Sequence, residues 1–308
     1  MRALVTTGPD GPGLALSETE APVAAGNEVL VQLRATSLNL GETRHLNDAE
    51  PGAVLGWDVA GDVVAEAADG SGPALGSRVV GIVDSGAWGE TVAVPTHALA
   101  VIPDRVSYAA ASVLPIAGLT AWRALELGGF LLGRRVLITG AAGGVGRLAV
   151  QLAHLSGAEV TAVVGRPERS AGLAALGAAD VVVGIDAADG RFDLVLESVG
   201  GPSLARAMTQ LTEEGVLVTY GRSSGEPGPI DPWWFGEHSG GRMVGLLVFS
   251  EVAARRLGTP QLERLLRLLE SGDLDPQVAA EGSWREPMPL VDALLAREVP
   301  GKAVLLVD

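Results

Sequence analysis

The 308 residues include 47% hydrophobic and 19% charged side chains, a balance typical of a folded globular enzyme and not of a disordered chain. With 22 basic and 37 acidic residues, the formal charge of −15 disfavours nucleic acid and anionic lipid as partners. The absence of cysteine excludes disulfides, thiolate catalysis and thiolate metal sites. No apolar run reaches the roughly 18 residues of a membrane span, and "MRALVTTGPDGPG" lacks the apolar core of a signal peptide, so we expect a cytoplasmic protein.

The first 115 residues have the pattern of a β-rich lobe. Short runs of β-favouring residues are separated by Gly, Pro and Asp, as in "EVLVQLRAT", "DVAGDVVAEA", "SRVVGIV" and "GETVAV". From "LPIAGLTAWRALEL" onward, helical and strand patterns alternate, which indicates parallel βαβ units. The tail "QLERLLRLLESGDL" predicts an amphipathic helix, and "KAVLLVD" predicts a closing strand. The strands predicted in the alternating region are Val136–Thr139, Glu159–Val164, Val181–Val183, Leu194–Glu197 and Val216–Tyr220.

The stretch "VLITGAAGGVGRLAVQLA", residues 136–153, joins a predicted strand to a predicted helix through a glycine-rich loop. A helix that begins there leaves unpaired N–H groups and its positive dipole end at the loop, which suits a pyrophosphate. An ordinary tight turn is the alternative, but the flanking strand and helix favour a dinucleotide site. The three positions of a G-x-G-x-x-G fingerprint are filled by Ala141, Gly143 and Gly146, with Gly140, Gly144 and Val145 around them.

The end of the second predicted strand indicates which dinucleotide binds. An NAD site usually has Asp or Glu about 20 residues beyond the glycine loop, to hold the ribose hydroxyl. This chain instead has Gly165 and Arg166, with Arg169 three residues further on. A guanidinium binds a 2′-phosphate through paired hydrogen bonds, whereas a carboxylate repels it. We therefore predict NADPH as the cofactor, with solvated surface arginines as the alternative.

Eight motifs occur in order along nearly the whole chain: "SLNLGETR", "LGWDVAGDVV", "GAWGETVAV", "LPIAGLTAWRAL", "VLITGAAGGVG", "DLVLESVGG", "GVLVTYG" and "GKAVLL". Together they resemble the medium-chain dehydrogenase/reductase superfamily, and specifically its zinc-independent quinone oxidoreductase branch. The resemblance implies an α/β fold, with a Rossmann doubly wound parallel sheet plus a GroES-like β-rich lobe. It implies a GroES-like catalytic domain over residues 1–115, completed by 250–308, and a Rossmann cofactor-binding domain over 116–249. It also implies hydride transfer from NADPH in a cleft, commonly by homodimers or homotetramers.

The motifs lack the ligands of the zinc alcohol dehydrogenases in the same superfamily. Where those enzymes have His before the acid of "LGWD", this chain has Trp57, and their two cysteine ligands have no counterpart. His45 lies nearby in the sequence, but neither a thiolate nor a second local histidine accompanies it. We therefore expect no metal site and assign His45 to the cleft or to the surface.

The resemblance assigns Asn39, Arg44 and Thr120 to the catalytic site. Asn39 would donate a hydrogen bond to developing charge on the substrate. Arg44, where many relatives have tyrosine, would stabilise an enolate or bind an anionic group, or else turn outward or pair with Glu42. Thr120 would lie beside the nicotinamide or satisfy the backbone at a helix start. The segments that flank the cofactor in relatives contain Ser198, Val199, Gly200, Tyr220, Gly221, Arg222, Phe249 and Lys302.

The chemistry that remains without zinc is reduction of a conjugated system. Hydride addition to a quinone or an α,β-unsaturated carbonyl spreads the negative charge over an extended π system, which hydrogen-bond donors then stabilise. An enoyl-thioester reductase and an NADPH-binding protein with little turnover are the alternatives. We expect water to supply the proton, with Tyr220 as the alternative donor. The position of Tyr220 at a strand end favours packing against the cofactor.

The segment "MVGLLVF", Met243–Phe249, predicts an apolar strand at the edge of the Rossmann sheet. An exposed apolar edge is a liability unless another chain or element covers it. We therefore expect a homodimer joined along this edge, with a strand buried inside one subunit as the alternative.

Overall fold

The computed structural model describes residues 1–9, 11, 13–46, 48–231, 233–234 and 240–308. The chain forms two compact units. The first, here called the β-rich unit, contains Met1–Leu119 and Val248–Asp308, and the second, the Rossmann unit, contains Thr120–Leu247. The domain division at 115/116 and 249/250 that the resemblance implied stays a prediction.

The β-rich unit begins with seven strands. They are β1 (Arg2–Thr6), β2 (Leu14–Glu18), β3 (Glu28–Leu38), β4 (Asp58–Ala65), β5 (Arg78–Ile82), β6 (Thr91–Pro95) and β7 (Leu99–Val101). β1 and β2 form an antiparallel hairpin, and β3 pairs antiparallel with both β4 and β6. Alternate residues of β3, such as Val29, Val31 and Leu33, are buried because successive side chains point to opposite faces of a strand. The four strand runs read from the sequence of this lobe are therefore confirmed.

The Rossmann unit contains a parallel sheet. Its strands are β8 (Arg135–Ile138), β9 (Glu159–Val164), β10 (Asp180–Val183), β11 (Phe192–Glu197), β12 (Leu211–Thr219) and β13 (Arg242–Gly245). Among the described residues the order is β10-β9-β8-β11-β12-β13. The chain thus builds outward from β8 in one direction and then from β11 in the other. The five predicted strands are confirmed, although β12 begins earlier than the predicted Val216.

The prediction of one strand over Met243–Phe249 is wrong in its second half. β13 ends at Gly245, where its parallel partner β12 also ends, because the pairing runs from Val216–Arg242 to Thr219–Gly245. The chain then turns into a helix at Val248. A short apolar run does not by itself distinguish a strand from a buried helix. The end of β13 is set by the end of its partner β12.

Two strands from the end of the chain complete the sheet of the β-rich unit. β14 (Val278–Ser283) pairs parallel with β15 (Lys302–Leu306), which pairs antiparallel with β3. The described helices are α1 (Leu40–Arg44), α2 (Tyr108–Ser112), α3 (Leu119–Glu126), α4 (Gly144–Leu155), α5 (Gly201–Thr209), α6 (Val248–Ala253), α7 (Thr259–Ser271) and α8 (Met288–Leu295). The predicted tail helix is α7, which buries Leu262, Leu265 and Leu266 on one face. No helix in the described part of the chain is both long and apolar enough to cross a membrane.

Candidate functional site

The glycine-rich loop turns the chain from β8 into α4. Gly140 has a φ of +59°, so the left-handed turn lies one residue before Ala141, the residue that fills the first fingerprint position. Ala141 is buried, and its N–H donates to the carbonyl of Val163 on β9 at 3.1 Å. An alanine is therefore tolerated in the first position because Gly140 makes the turn.

Gly146 allows α4 to lie directly against the loop. A Cβ atom there would lie 2.5 Å from the carbonyl oxygen of Gly140 and 2.6 Å from the Cα of Ala141. Gly143 is the residue before α4, and it makes no side-chain cap. The N–H groups of the first helical turn, at Gly144 and Val145, are therefore left to an external acceptor.

The end of β9 has room for a phosphate. Gly165 is exposed, has no carboxylate, and a Cβ atom built on it meets nothing within 4 Å. Arg166 is exposed beside it. The Nη2 atom of Arg169 donates to the carbonyl of Ala142 at 3.2 Å, which fastens this side chain to the glycine loop. The structure thus brings a predicted arginine to the predicted loop.

Glu197, which sequence reasoning did not single out, organises the loop after β11. Its carboxylate is fully buried and accepts the N–H groups of Val199, at 3.0 Å, and of Gly200, at 3.0 and 3.2 Å. The hydroxyls of Ser203 and Thr139 also donate to it, at 3.1 and 3.3 Å. Burial raises the pKa of Glu197, and these hydrogen bonds oppose that rise. The sequence signal for this role was an acidic residue at the end of an otherwise apolar strand, "DLVLE".

The loops after β11 and β12 are joined to each other through backbone hydrogen bonds. The N–H of Ser223 donates to the carbonyl of Ser198 at 2.9 Å, and that of Ser224 donates to Val199 at 2.8 Å. A Cβ on Gly221 would lie 3.1 Å from the Ser198 carbonyl oxygen. The predicted residues Ser198, Val199, Gly200, Tyr220, Gly221 and Arg222 therefore lie together.

All of these segments follow the carboxyl ends of parallel strands. A Cβ on Gly140 would lie 2.5 Å from the Ser198 hydroxyl oxygen, so the loops after β8 and β11 are adjacent. The strand order reverses between β8 and β11, and ligands of open α/β sheets bind outside the carboxyl ends at such a point. Burial raises the pKa of Tyr220, the residue directly after β12, which makes its phenol a weaker acid.

A second polar group lies in the β-rich unit and is here called the Asn39 cluster: Asn39, Glu42, Asp58 and Lys302, all buried. The Nζ of Lys302 donates to the Oδ1 of Asn39 at 2.6 Å and to the carbonyl of Leu38 at 3.0 Å, and lies 3.5 Å from the Oδ2 of Asp58. The Nδ2 of Asn39 donates to Asp58 Oδ2 at 2.8 Å and to Glu42 Oε1 at 3.2 Å. The amide orientation is fixed by charge, because the ammonium can only donate and the carboxyl groups accept.

Of this cluster, sequence reasoning named Asn39 and Lys302 as site residues, named Glu42 only as an alternative partner of Arg44, and missed Asp58. Glu42 forms a capping box with Asn39 at the start of α1, and the Asn39 N–H donates to its Oε1 at 2.7 Å. The Asn-x-x-Glu spacing in "NLGE" was the signal for this contact.

The other predicted residues of the β-rich unit lie on α1 or close to it. Trp57 packs edge-on against Phe249, with ring centroids 5.1 Å apart, and a Cβ on Gly41 would lie 2.8 Å from its ring. Arg44 is exposed on α1, whereas Glu42 is buried. His45 is exposed, 3.9 Å from the carboxylate of Asp48. Thr120, by contrast, belongs to the Rossmann unit, where it is buried in α3.

Comparison with known proteins identifies the family. The family model of the alcohol dehydrogenase GroES-like domain matches residues 25–104, and that of zinc-binding dehydrogenases matches residues 144–254. The 2-methylene-furan-3-one reductase of Solanum lycopersicum is 30% identical over 290 residues, which cover 87% of this chain and 68% of that protein. The chloroplast envelope quinone oxidoreductase homolog of Arabidopsis thaliana is 31% identical over 72% of this chain and 73% of that protein. The chain belongs to the medium-chain dehydrogenase/reductase superfamily.

Solved structures of superfamily members have the same fold. The quinone oxidoreductase of Coxiella burnetii is 26% identical, with a TM-score of 0.86 over 100% of this chain and 99% of that one. Mycobacterial Rv1454c, solved as a complex with NADPH, is 25% identical, with a TM-score of 0.87 over 99% and 100% of the two chains. The predicted Rossmann doubly wound sheet with a GroES-like lobe is therefore confirmed.

Some members of the superfamily are parts of much longer proteins. Erythronolide synthase EryA2 of Saccharopolyspora erythraea is 36% identical over 267 residues, which cover 80% of this chain. The chain spans only 7% of the length of that synthase.

The resemblance places Trp57 where the zinc enzymes of the superfamily have a histidine. Among the described residues, no group of three or more His, Cys, Asp or Glu side chains is arranged to hold a metal ion. The prediction that zinc is not required stays a prediction.

Proposed function

We propose that this chain reduces a quinone or an α,β-unsaturated carbonyl with NADPH. The observation that carries the proposal is made at the carboxyl edge of the Rossmann sheet. There α4 begins without a side-chain cap, and β9 is followed by Gly165 and two arginines with no acidic residue at the position of Gly165. The substrate class rests on the similarity to a quinone oxidoreductase homolog and to a furanone reductase.

The residues at this edge fit the cofactor. The N–H groups of Gly144 and Val145 would hold the pyrophosphate, since helix starts bind anions. Arg166 and Arg169 would hold the 2′-phosphate, for which Gly165 leaves space. The joined loops at 198–200 and 220–222 would line the nicotinamide ribose.

NADPH, when bound, supplies a hydride from C4 of its nicotinamide ring. The task of the chain is then to orient the acceptor and to stabilise charge that develops on its oxygen. We assign this task to Arg44 and Thr120, with Asn39 holding the start of α1, the helix that carries Arg44. Both amide hydrogens of Asn39 are donated to carboxyl groups, so Asn39 acts chiefly by ordering the start of α1.

The proton that completes the reduction comes from water in this proposal. Burial raises the pKa of Tyr220, which disfavours proton release from its phenol. Tyr220 is therefore assigned to packing against the cofactor.

A second candidate is an enoyl-thioester reductase. The observations that favour it are the 36% identity to erythronolide synthase EryA2 over 80% of this chain and the 32% identity to the spectinabilin polyketide synthase system protein NorB over 84% of it. The chemistry is the same hydride addition to a conjugated carbonyl, and only the group attached to the carbonyl differs.

One assay separates these functions. NADPH oxidation is followed with a panel of quinones, enones and enoyl thioesters, each against a blank without enzyme. Turnover of quinones or enones supports the proposal, and turnover restricted to enoyl thioesters favours the second candidate. Tight NADPH binding without turnover of any acceptor would instead leave a cofactor-binding protein.

A further inference from the structure

The Asn39 cluster contains more acid than base. Two carboxyl groups, Glu42 and Asp58, and one ammonium, Lys302, are each at most 3% exposed. Lys302 lies 3.5 Å from Asp58 Oδ2. If both carboxyl groups were ionised, the cluster would hold a net negative charge away from water, which is strongly unfavourable. One additional proton makes the cluster neutral.

The hydrogen bonds identify the group that holds this proton. Asp58 accepts on both oxygens: its Oδ1 receives the Ile116 N–H at 2.8 Å, and its Oδ2 receives Asn39 Nδ2 at 2.8 Å and the Ser37 hydroxyl. Asp58 therefore has donors on both oxygens and an ammonium nearby.

The two carboxyl oxygens of Glu42 have fewer donors than those of Asp58. Its Oε1 receives both hydrogen bonds from Asn39, whereas its buried Oε2 has no hydrogen-bond partner among the described atoms. An ionised carboxylate needs donors on both oxygens, so Glu42 is the poorer site for charge. Burial first, and then the charge of Asp58, raise the pKa of Glu42 to about 8.

In the described part of the chain, the charged groups that act on Glu42 are Asp58 and Lys302. Asp58 lies on β4 and Lys302 on β15, and both belong to the cluster. α8 also packs against α1, and its only titratable residue, Asp292, is exposed.

We propose that Glu42 is a neutral carboxylic acid at neutral pH and that it acts as a positioning residue, holding Asn39 in place at the start of α1. Ionisation would place a second negative charge beside Asp58, and the repulsion would displace the side chain and release Asn39. The effect on catalysis rests on the proposed function, whereas the proton on Glu42 does not.

The first experiment tests the proton without any activity. Wild type, Glu42→Gln and Glu263→Gln are compared by infrared spectroscopy between pH 6 and 9, where Glu263→Gln removes an exposed acid on α7 as a matched control. A protonated-carboxyl band should be lost as the pH rises through about 8 in wild type and in Glu263→Gln, and it should be absent from Glu42→Gln. A band that is equal in all three proteins overturns the proposal.

Stability gives an independent readout. The unfolded chain ionises Glu42 near its ordinary pKa of 4.5, whereas the folded chain retains the proton to about 8. Between these values the folded state binds more protons, so wild-type stability falls as the pH rises, by up to about tenfold in the unfolding constant per pH unit. Glu42→Gln lacks this contribution, so its urea midpoint should rise relative to wild type from pH 5 to 8. A pH-independent difference contradicts the proposal.

Turnover tests the positioning role. With a pKa near 8, the neutral fraction of Glu42 falls about tenfold between pH 7 and 9. The ratio of kcat at pH 7 to kcat at pH 9 should therefore be about tenfold in wild type and in Glu263→Gln, and close to one in Glu42→Gln. Equal ratios in all three proteins overturn the positioning role. If no acceptor is reduced by any of them, the proposed function fails, and the infrared and unfolding results still decide the proton on Glu42.

Discussion

Gly165 is the residue at which the cofactor preference is most directly testable. A side chain at this position meets nothing within 4 Å, and the backbone conformation is not one reserved for glycine. Gly165→Asp should therefore fold normally while placing a carboxylate where NAD sites have an acid. Repulsion of the 2′-phosphate should weaken NADPH binding by about 10- to 100-fold, on the order of 1.5–3 kcal/mol, and should spare NADH.

The matched control is Gly165→Asn, which has nearly the same shape without the charge. Dissociation constants for both cofactors, measured by fluorescence titration, decide the result. Equal weakening of NADPH by Asp and Asn would mean that the effect is steric and that the assignment of this position is wrong. Arg166→Ala should likewise weaken NADPH and leave NADH nearly unchanged.

At the scale of elements, the contact between the glycine loop and α4 sets the shape of the cofactor site. Gly146→Ala puts a methyl group 2.5 Å from the Gly140 carbonyl oxygen, so β8 and α4 must move apart. Overpacking of this kind typically costs about 1–3 kcal/mol, which we expect as lost stability together with weaker NADPH binding.

Gly143→Ala provides the comparison within the same loop. Its Cβ would lie 3.3 Å from the same carbonyl oxygen, and its backbone is extended. Urea unfolding of the two variants should show a clearly larger loss for Gly146→Ala. If Gly143→Ala is equally destabilised, the close approach at Gly146 is not the reason for the glycine.

At the scale of the whole molecule, we predict a homodimer joined along β13. β13 is an edge strand of the described sheet, and Leu247, which follows it, is 60% exposed. An edge strand followed by an exposed apolar side chain favours association with a second copy. Light scattering at micromolar concentration should give the mass of a dimer, and Leu247→Glu should shift it toward the monomer.

Leu132→Glu is the control for this prediction. Leu132 is another exposed leucine of the Rossmann unit, 64% exposed, and it lies outside β13. Its substitution should leave the mass unchanged. A wild-type protein that is monomeric, or a dimer that both substitutions disrupt equally, would remove β13 as the interface.

The whole protein is also predicted to be active without zinc. The resemblance places Trp57, which packs against Phe249, at a ligand position of the zinc enzymes, and the chain has no cysteine. Elemental analysis of active protein should find zinc far below one equivalent, and a chelator should not change NADPH oxidation. Activity that is lost with the chelator and restored by zinc would contradict this.

Features that depend on neighbouring residues could be predicted from the amino-acid sequence. The glycine loop is one, because a left-handed turn at Gly140 and a close approach at Gly146 are local demands that few other residues meet. The strand positions of the Rossmann unit are another, since their apolar runs lie between clear turn signals. Gly165 likewise followed from its spacing to the loop.

Contacts between residues far apart in the sequence could not be predicted, because they depend on how the strands pair. Lys302 contacts Asn39 across 263 positions of sequence because β15 runs antiparallel to β3, with Ala303 opposite Leu38. Nothing local to either residue predicts that pairing, and the burial of Glu42 beside Asp58 follows from it. The end of β13 was also decided in this way, because a strand continues only as far as its partner offers hydrogen bonds. Local patterns specify turns and periodicity, whereas the register between distant strands is set by the packing of the whole unit.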